Sequence, residues 1–235
     1  MQPALARVLR QVLVAGVLVE ELHDRRRSGL SEDEQVGERV RPRAAERGLD
    51  GATTLVDLTK AGDLSTIDDA QGGLRIGGAA RLDDIARHPL VRERYPALAL
   101  ACEAVATPAI RAMGTVGGNL CQRPRCWYFR NGYGLLALHD GASLIEAGDN
   151  RYHAIFGNSG PAKFVSSSRF APAAITWGAK VRVIGPGQQE QMVPLEYFFV
   201  TPKSSTQGLT VLKPGQLITH VWLPNAKASR PHSTL

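Results

Sequence analysis

The chain has 235 residues, 43% of them hydrophobic, enough for one large or two small globular domains with a real core. Its formal charge of +6 comes mostly from arginines spread along the chain. Without a basic stripe interleaved with aromatics, this argues for solvated surface or anionic ligands and against a nucleic-acid partner.

Three cysteines, Cys102, Cys121 and Cys126, are too few and too irregularly spaced for a disulfide framework, and they point to a reducing, cytoplasmic setting. The longest apolar run, Val12 to Val19, is interrupted by Gly16 and is too short to span a bilayer. Glu20 and Glu21 stand where a signal peptide would need small residues.

In chain order, Leu5, Leu9, Val12 and Leu13 have helical spacing and predict an amphipathic helix to about Leu22. From Ser28 to Arg47 the sequence is charged and poor in apolar residues, a solvated connector, so 1–52 reads as a distinct N-terminal segment. Regularity begins with a strand at Thr54–Leu58, followed by the Lys60–Asp63 turn. A second strand, Leu74–Gly77, enters a glycine-rich bend. A helix then opens at Leu82 and stops at His88-Pro89, because proline lacks an N–H and restricts its predecessor. Val91–Val105 predicts a further helix with Leu98, Cys102 and Val105 on one face and Cys102 as a buried apolar residue.

The segment Gly114-Thr115-Val116-Gly117-Gly118-Asn119 follows a helix-like run ending at Met113. Glycine lets a phosphate lie close to the backbone and reaches positive-φ conformations that aim successive N–H groups at one point. Thr115 adds a hydroxyl, and Asn119 tolerates the left-handed region. On these residues alone the segment is either an anion-binding turn or a loop whose glycines merely reverse the chain. Beyond it, Cys121 and Cys126 could be half of a metal or cluster site. Four-coordinate sites need four ligands, however, no cysteine follows Cys126, and His139 and His153 match no standard spacing, so no metal ligand is assigned.

Lys180–Ile184 alternates polar and apolar residues as a half-buried antiparallel strand should, and Gly185-Pro186-Gly187 closes it. Met192–Phe199 carries the largest aromatic cluster, read as core. Gly215–Pro224 reads as a final edge strand stopped by proline, and 225–235 as a polar tail.

From about Thr53 to Pro224 the chain resembles the flavin-binding medium subunit of the molybdenum hydroxylases, the xanthine dehydrogenase and carbon monoxide dehydrogenase group. The matching pieces keep their order: TLVDL at Thr54–Leu58, GGLRIGGAARLDDIARHPLVRERYPAL at Gly72–Leu98, VATPAIRAMGTVGGNL at Val105–Leu120, CQRPRCWYFRN at Cys121–Asn131, GDNRYHAIFG at Gly148–Gly157, APAA at Ala171–Ala174, PLEYFFVTP at Pro194–Pro202 and LKPGQLITHVWLP at Leu212–Pro224. The resemblance implies an α+β, PCMH-type FAD-binding domain over 53–224. It would have two subdomains, a small mixed or parallel sheet with helices and a larger antiparallel sheet with helices, with flavin adenine dinucleotide (FAD) between them. The family's Thr-Gly-Gly-Asn turn holds the FAD pyrophosphate, which carries over to Gly114, Thr115, Val116, Gly117, Gly118 and Asn119. The flavin would take electrons from a small [2Fe-2S] subunit, fed by a large molybdenum-cofactor subunit, and pass them to an external acceptor. No catalytic acid or base is required of this chain.

Four departures accompany the match. The family's first FAD loop, Ala-Gly-Gly-Thr-Asp before the TLVDL strand, has only Val14-Ala15-Gly16-Val17-Leu18 as an echo. An acid expected to contact the cofactor is replaced by Arg169. Relatives sharing the CQRPRCWYFR loop continue with cysteines suggesting an extra iron–sulfur cluster, and Gly134–Ala147 has none. The sequence stops near Leu235, where relatives continue into a C-terminal domain. These departures define two rivals: a non-catalytic scaffold that no longer holds FAD, and a decaying copy that folds poorly.

Overall fold

A computed structural model describes residues 11–14, 17–20, 54–58, 61–70 and 72–225. The polar connector expected within 28–47 and nearly all of the expected tail lie outside the described residues.

Strands β1 (Gln11–Val14), β2 (Val17–Glu20) and β3 (Thr54–Asp57) form a three-stranded sheet in that order. Both of its pairings are antiparallel, with Val14 opposite Val17 and Val17 opposite Asp57. The helix expected through Leu22 is therefore a pair of strands at these positions. Val12, Val14, Val17 and Val19 are β-branched, lose rotamer freedom in a helix and suit an extended chain. A two-residue connection also permits only antiparallel pairing, so β1 and β2 cannot supply the parallel pair expected of the small sheet.

The larger sheet contains β4 (Ile67–Ala70), β5 (Gly73–Gly77), β8 (Lys180–Ile184), β9 (Glu190–Pro194) and β10 (Leu217–Pro224), in the order β4-β5-β10-β8-β9. Every pairing is antiparallel. Strand β10, expected at an edge, is central. Leu217 to Val221 are all buried, which is the pattern of a strand covered on both faces, and Pro224 sits at its last position, where a missing N–H costs little. Strand β4 was not expected, since Ile67-Asp68-Asp69-Ala70 has no apolar alternation. Ion pairs hold its acids, Asp68 to Arg75 at 2.8 Å and Asp69 to Arg94 at 2.7 Å. A two-stranded hairpin, β6 (Leu138–His139) and β7 (Ala142–Ser143), lies apart.

Helices α1 (Leu82–Arg87), α2 (Pro89–Arg94) and α3 (Pro96–Glu103) follow one another closely. The single helix expected over Val91–Val105 is broken at Tyr95, because Pro96 disfavours helical backbone before it and then starts α3 at a first position that needs no N–H donor. The break has a use. Tyr95 is fully buried, and its hydroxyl donates to the Leu223 and Pro224 carbonyls at 3.3 and 3.0 Å, tying the helices to the end of β10. Ile85, Leu98 and Cys102 from these helices share one core with Ile76, Val221 and Phe170, the last from α8 (Phe170–Thr176). Cys102 is buried as expected, and burial pushes its thiol up to about 12. Of the aromatic cluster, Phe198 is buried but Tyr197 is exposed.

Candidate functional site

The glycine-rich segment is built from two short helices and the crossing between them. Helix α4 (Pro108–Met113) starts at Thr107, whose Oγ1 accepts from the Ile110 N–H at 3.3 Å, and it buries no residue. Gly114 ends it with extended backbone and donates its N–H to the Ile110 carbonyl at 2.7 Å. Thr115 then bridges Arg81 in antiparallel fashion: Leu82 N–H donates to the Gly114 carbonyl at 2.9 Å and Val116 N–H to the Ala80 carbonyl at 3.0 Å. Helix α5 (Val116–Leu120) begins immediately, with Thr115 as N-cap and its Oγ1 accepting from the Gly118 N–H at 3.1 Å.

The turn is thus right-handed. None of Gly114, Gly117 and Gly118 has a positive φ, and the expected left-handed arrangement is replaced by the first turn of a helix. Hydrogen bonding explains why: the threonine side chain is a good N-cap, and nearby carbonyls accept the N–H groups that helices leave open at their start. The Gly117 N–H goes to the Gly78 carbonyl at 2.8 Å. The backbone N–H groups of Val116, Gly117 and Gly118 therefore have partners inside the protein.

A different set of donors is left without acceptors among the described residues. The Ser168 hydroxyl accepts from the Ala171 N–H at 3.0 Å at the start of α8, so its one hydrogen goes to Asn119 Oδ1, 2.6 Å away. This fixes the Asn119 amide with its NH2 turned from Ser168, and neither of those hydrogens has an acceptor among the described residues. The Thr115 N–H and hydroxyl hydrogen are likewise without acceptors there. Arg81, opposite Thr115, and Arg169, next to Ser168, are both exposed, and neither makes an ion pair among the described residues. Strand β1 passes within 8 Å of α5, Cα to Cα, so the N-terminal sheet borders the same place.

All six predicted positions, Gly114 to Asn119, are brought together, but in unequal roles. Val116 and Gly117 are buried, while Thr115 and Asn119 keep only 8% exposure each. The carbonyls of Gly78 and Ala80 and the side chain of Arg81 were missed by motif reading, although the Gly77-Gly78 doublet signalled a close approach of two backbones. A cavity of about 120 Å³ lies beyond the C-terminal end of α5, between Leu120, Gln122, Phe164, Phe199, Val200 and Thr210 among others. Small-molecule pockets run to roughly 300–1,000 Å³, so this one encloses at most part of a dinucleotide. Of the possible metal ligands, Cys126 Sγ stands 3.1 Å from His153 Nε2. Among the described residues no three His, Cys, Asp or Glu side chains gather to hold an ion.

Comparison with known proteins places this geometry in context. The family described as "FAD binding domain in molybdopterin dehydrogenase" matches residues 43–226. The aldehyde oxidoreductase FAD-binding subunit PaoB of Escherichia coli (strain K12) is 34% identical over 180 residues, 75% of this chain and 56% of that protein. The nicotinate dehydrogenase FAD-subunit of Eubacterium barkeri is 35% identical over 66 residues, 28% of this chain and 22% of that one. Among solved structures, quinoline 2-oxidoreductase from Pseudomonas putida 86 superposes with a TM-score of 0.51 at 20% identity, covering 81% of this chain and 50% of its own, a likeness of fold. The match thus spans little more than half the length of PaoB.

Proposed function

The chain belongs to the FAD-binding domain family of the molybdopterin dehydrogenases, and from that premise we propose that it is a FAD-binding electron-transfer subunit of a molybdenum-hydroxylase-type oxidoreductase. Bound FAD supplies the redox chemistry through its isoalloxazine ring. The residues of this chain bind and orient it. Electrons arrive from the iron–sulfur centres of a small partner subunit, which are filled from a large molybdenum-cofactor subunit, and leave to an external acceptor. The setting is cytoplasmic. Three free cysteines support that compartment, and no helix among the described residues is long and apolar enough to cross a membrane.

The observation that carries the proposal is the set of donors in the segment Gly114 to Asn119 that have no acceptors among the described residues. The Thr115 N–H and hydroxyl and the Asn119 amide, whose orientation Ser168 fixes, would hold the cofactor's diphosphate by hydrogen bonds. Each bond to a charged oxygen contributes about 1.5–3 kcal/mol. Arg81, exposed and unpaired among the described residues, adds positive charge at the same edge. The glycines act indirectly. The Gly117 N–H, bonded to the Gly78 carbonyl, ties α5 to the end of β5 beside Thr115 and Asn119.

The test is the flavin content of the purified, desalted protein, followed by titration with FAD. One FAD per chain, lost on Asn119→Leu, is the expected result. Absence of flavin bands, with no thermal shift at high FAD, overturns the proposal and leaves the non-catalytic scaffold. Co-purification with iron–sulfur and molybdenum subunits tests the electron route.

A further inference from the structure

The segment after α5 carries a thiol that the flavin role does not use. Cys126 N-terminally caps α6 (Trp127–Arg130), and its Sγ lies 3.1 Å from His153 Nε2. His153 is 8% exposed and lies beside the rings of both Trp127 and Tyr128, at centroid distances of 6.1 and 6.0 Å. Its Nδ1 is buried with no hydrogen-bond partner. An imidazole nitrogen held at hydrogen-bond distance from a thiol is placed to take its proton.

We propose that Cys126, with His153 as its base, is a site of thiol–disulfide exchange with small anionic disulfides of the glutathione type. The thiol proton passes to His153 Nε2, Sγ attacks one sulfur of the disulfide, the S–S bond breaks, and the departing thiolate takes the proton from the imidazolium. The protein gains a mixed disulfide and one thiol leaves, so electrons and protons balance without a further oxidant.

Three features give the site selectivity. Burial pushes the Cys102 and Cys121 thiols up to about 12, which leaves them almost wholly as unreactive thiols near neutrality. Cys126, half-buried like Cys121, is the thiol that has an imidazole nitrogen at hydrogen-bond distance. Arg123, Arg125 and Arg130 flank it, all exposed and without ion pairs among the described residues, and these cations favour a reagent bearing carboxylates. The other titratable groups around the pair are Tyr128, Tyr152, Asp149, paired with Arg151 at 2.9 Å, and Lys163, paired with Glu146 at 2.7 Å. The Arg151 hydrogen bond chiefly holds the Asp149 carboxyl below its usual range, and the His153 charge acts in the same direction.

The experiment treats the folded full-length chain with oxidised glutathione and, separately, with cationic cystamine, mapping the modified cysteine by mass spectrometry. Cys126 is expected to be modified first, about tenfold faster by the anionic reagent at low salt, with the preference fading at high salt. His153→Gln should slow the reaction about tenfold or more and make its rate fall tenfold per pH unit below about pH 8, as for an ordinary thiol. Should that variant fail to fold, the wild-type pH–rate profile decides alone: a rate that persists towards pH 6 supports the pair, and an ordinary-thiol profile overturns it. Equal modification of Cys102 or Cys121, or an unchanged rate in folded His153→Gln, also overturns it.

Discussion

Two glycine pairs meet in this fold, and they serve it differently. Gly77-Gly78 sits where β5 leaves the sheet: a Cβ on Gly77 would run into the Leu64 carbonyl, and one on Gly78 would stand 2.5 Å from the Ile218 carbonyl. Gly117-Gly118 lies in ordinary helical backbone, joined to the first pair by the 2.8 Å bond from Gly117 N–H to the Gly78 carbonyl. The pair that looks like a plain bend meets a close backbone crossing, while the pair that the family resemblance assigned to a cofactor lies in helical backbone tied to it by one hydrogen bond. A glycine's role is thus set by what crosses it, and a motif does not show that.

The largest effect that could break this contrast is at the first pair. Gly78→Val should cost about 3 kcal/mol or more, as overpacking against fixed backbone does, and would show as a large drop in the urea midpoint. A wild-type midpoint would mean that the two backbones do not approach as described. Thr115→Val removes both an N-cap and a hydroxyl whose hydrogen has no acceptor among the described residues. It should lower stability by about 1–2 kcal/mol and weaken FAD by roughly tenfold or more, readable by denaturation and flavin fluorescence titration. Ser168→Ala frees the Asn119 amide to rotate and uncaps α8, for about 1 kcal/mol of stability. Arg81→Glu sharpens the comparison further, because it touches only the ligand side. Stability should stay within about 0.5 kcal/mol, while FAD affinity falls in a way that high salt masks.

The smallest effect concerns pH. His220 pairs with Gly77 across β5 and β10, is 2% exposed, and makes no hydrogen bond at either ring nitrogen, although Nε2 is 3.3 Å from the Asp63 carboxylate. Burial chiefly lowers its pKa from the ordinary 6.5, with Arg75 and Arg182 adding to that and Asp63 opposing it. Between the lowered folded value and 6.5 the unfolded chain therefore binds more protons. The stability from a neutral His220 is complete above that window and lost as pH falls through it. Replacing it in His220→Gln should flatten the decline in melting temperature on acidification.

Much of the fold could be read in the residues. The helix stop at His88-Pro89, the buried Cys102 and the alternating strand Lys180–Ile184 all follow from local rules, and the ordered motifs identified the family. The misreadings share one cause. Strand β4 has no apolar signature because ion pairs, not burial, occupy its side chains. Strand β10 took an edge assignment from its proline, although its own run of buried residues is what a central strand needs. The N-terminal strands were assigned to a helix because short apolar runs satisfy both periodicities.

Within the candidate site, residue types alone left Gly114 to Asn119 as either an anion-binding turn or a loop that reverses the chain. Local spacing places a hydroxyl, three glycines and an amide within one turn of chain. Only the tertiary structure decided which of those atoms remain available. The carbonyls of Gly78 and Ala80 and the hydroxyl of Ser168 come from distant parts of the chain and occupy the N–H groups of Gly117 and Val116 and the oxygen of Asn119. Whether a polar group faces a ligand or another backbone is a matter of partners brought together by folding, and those partners are not neighbours in sequence.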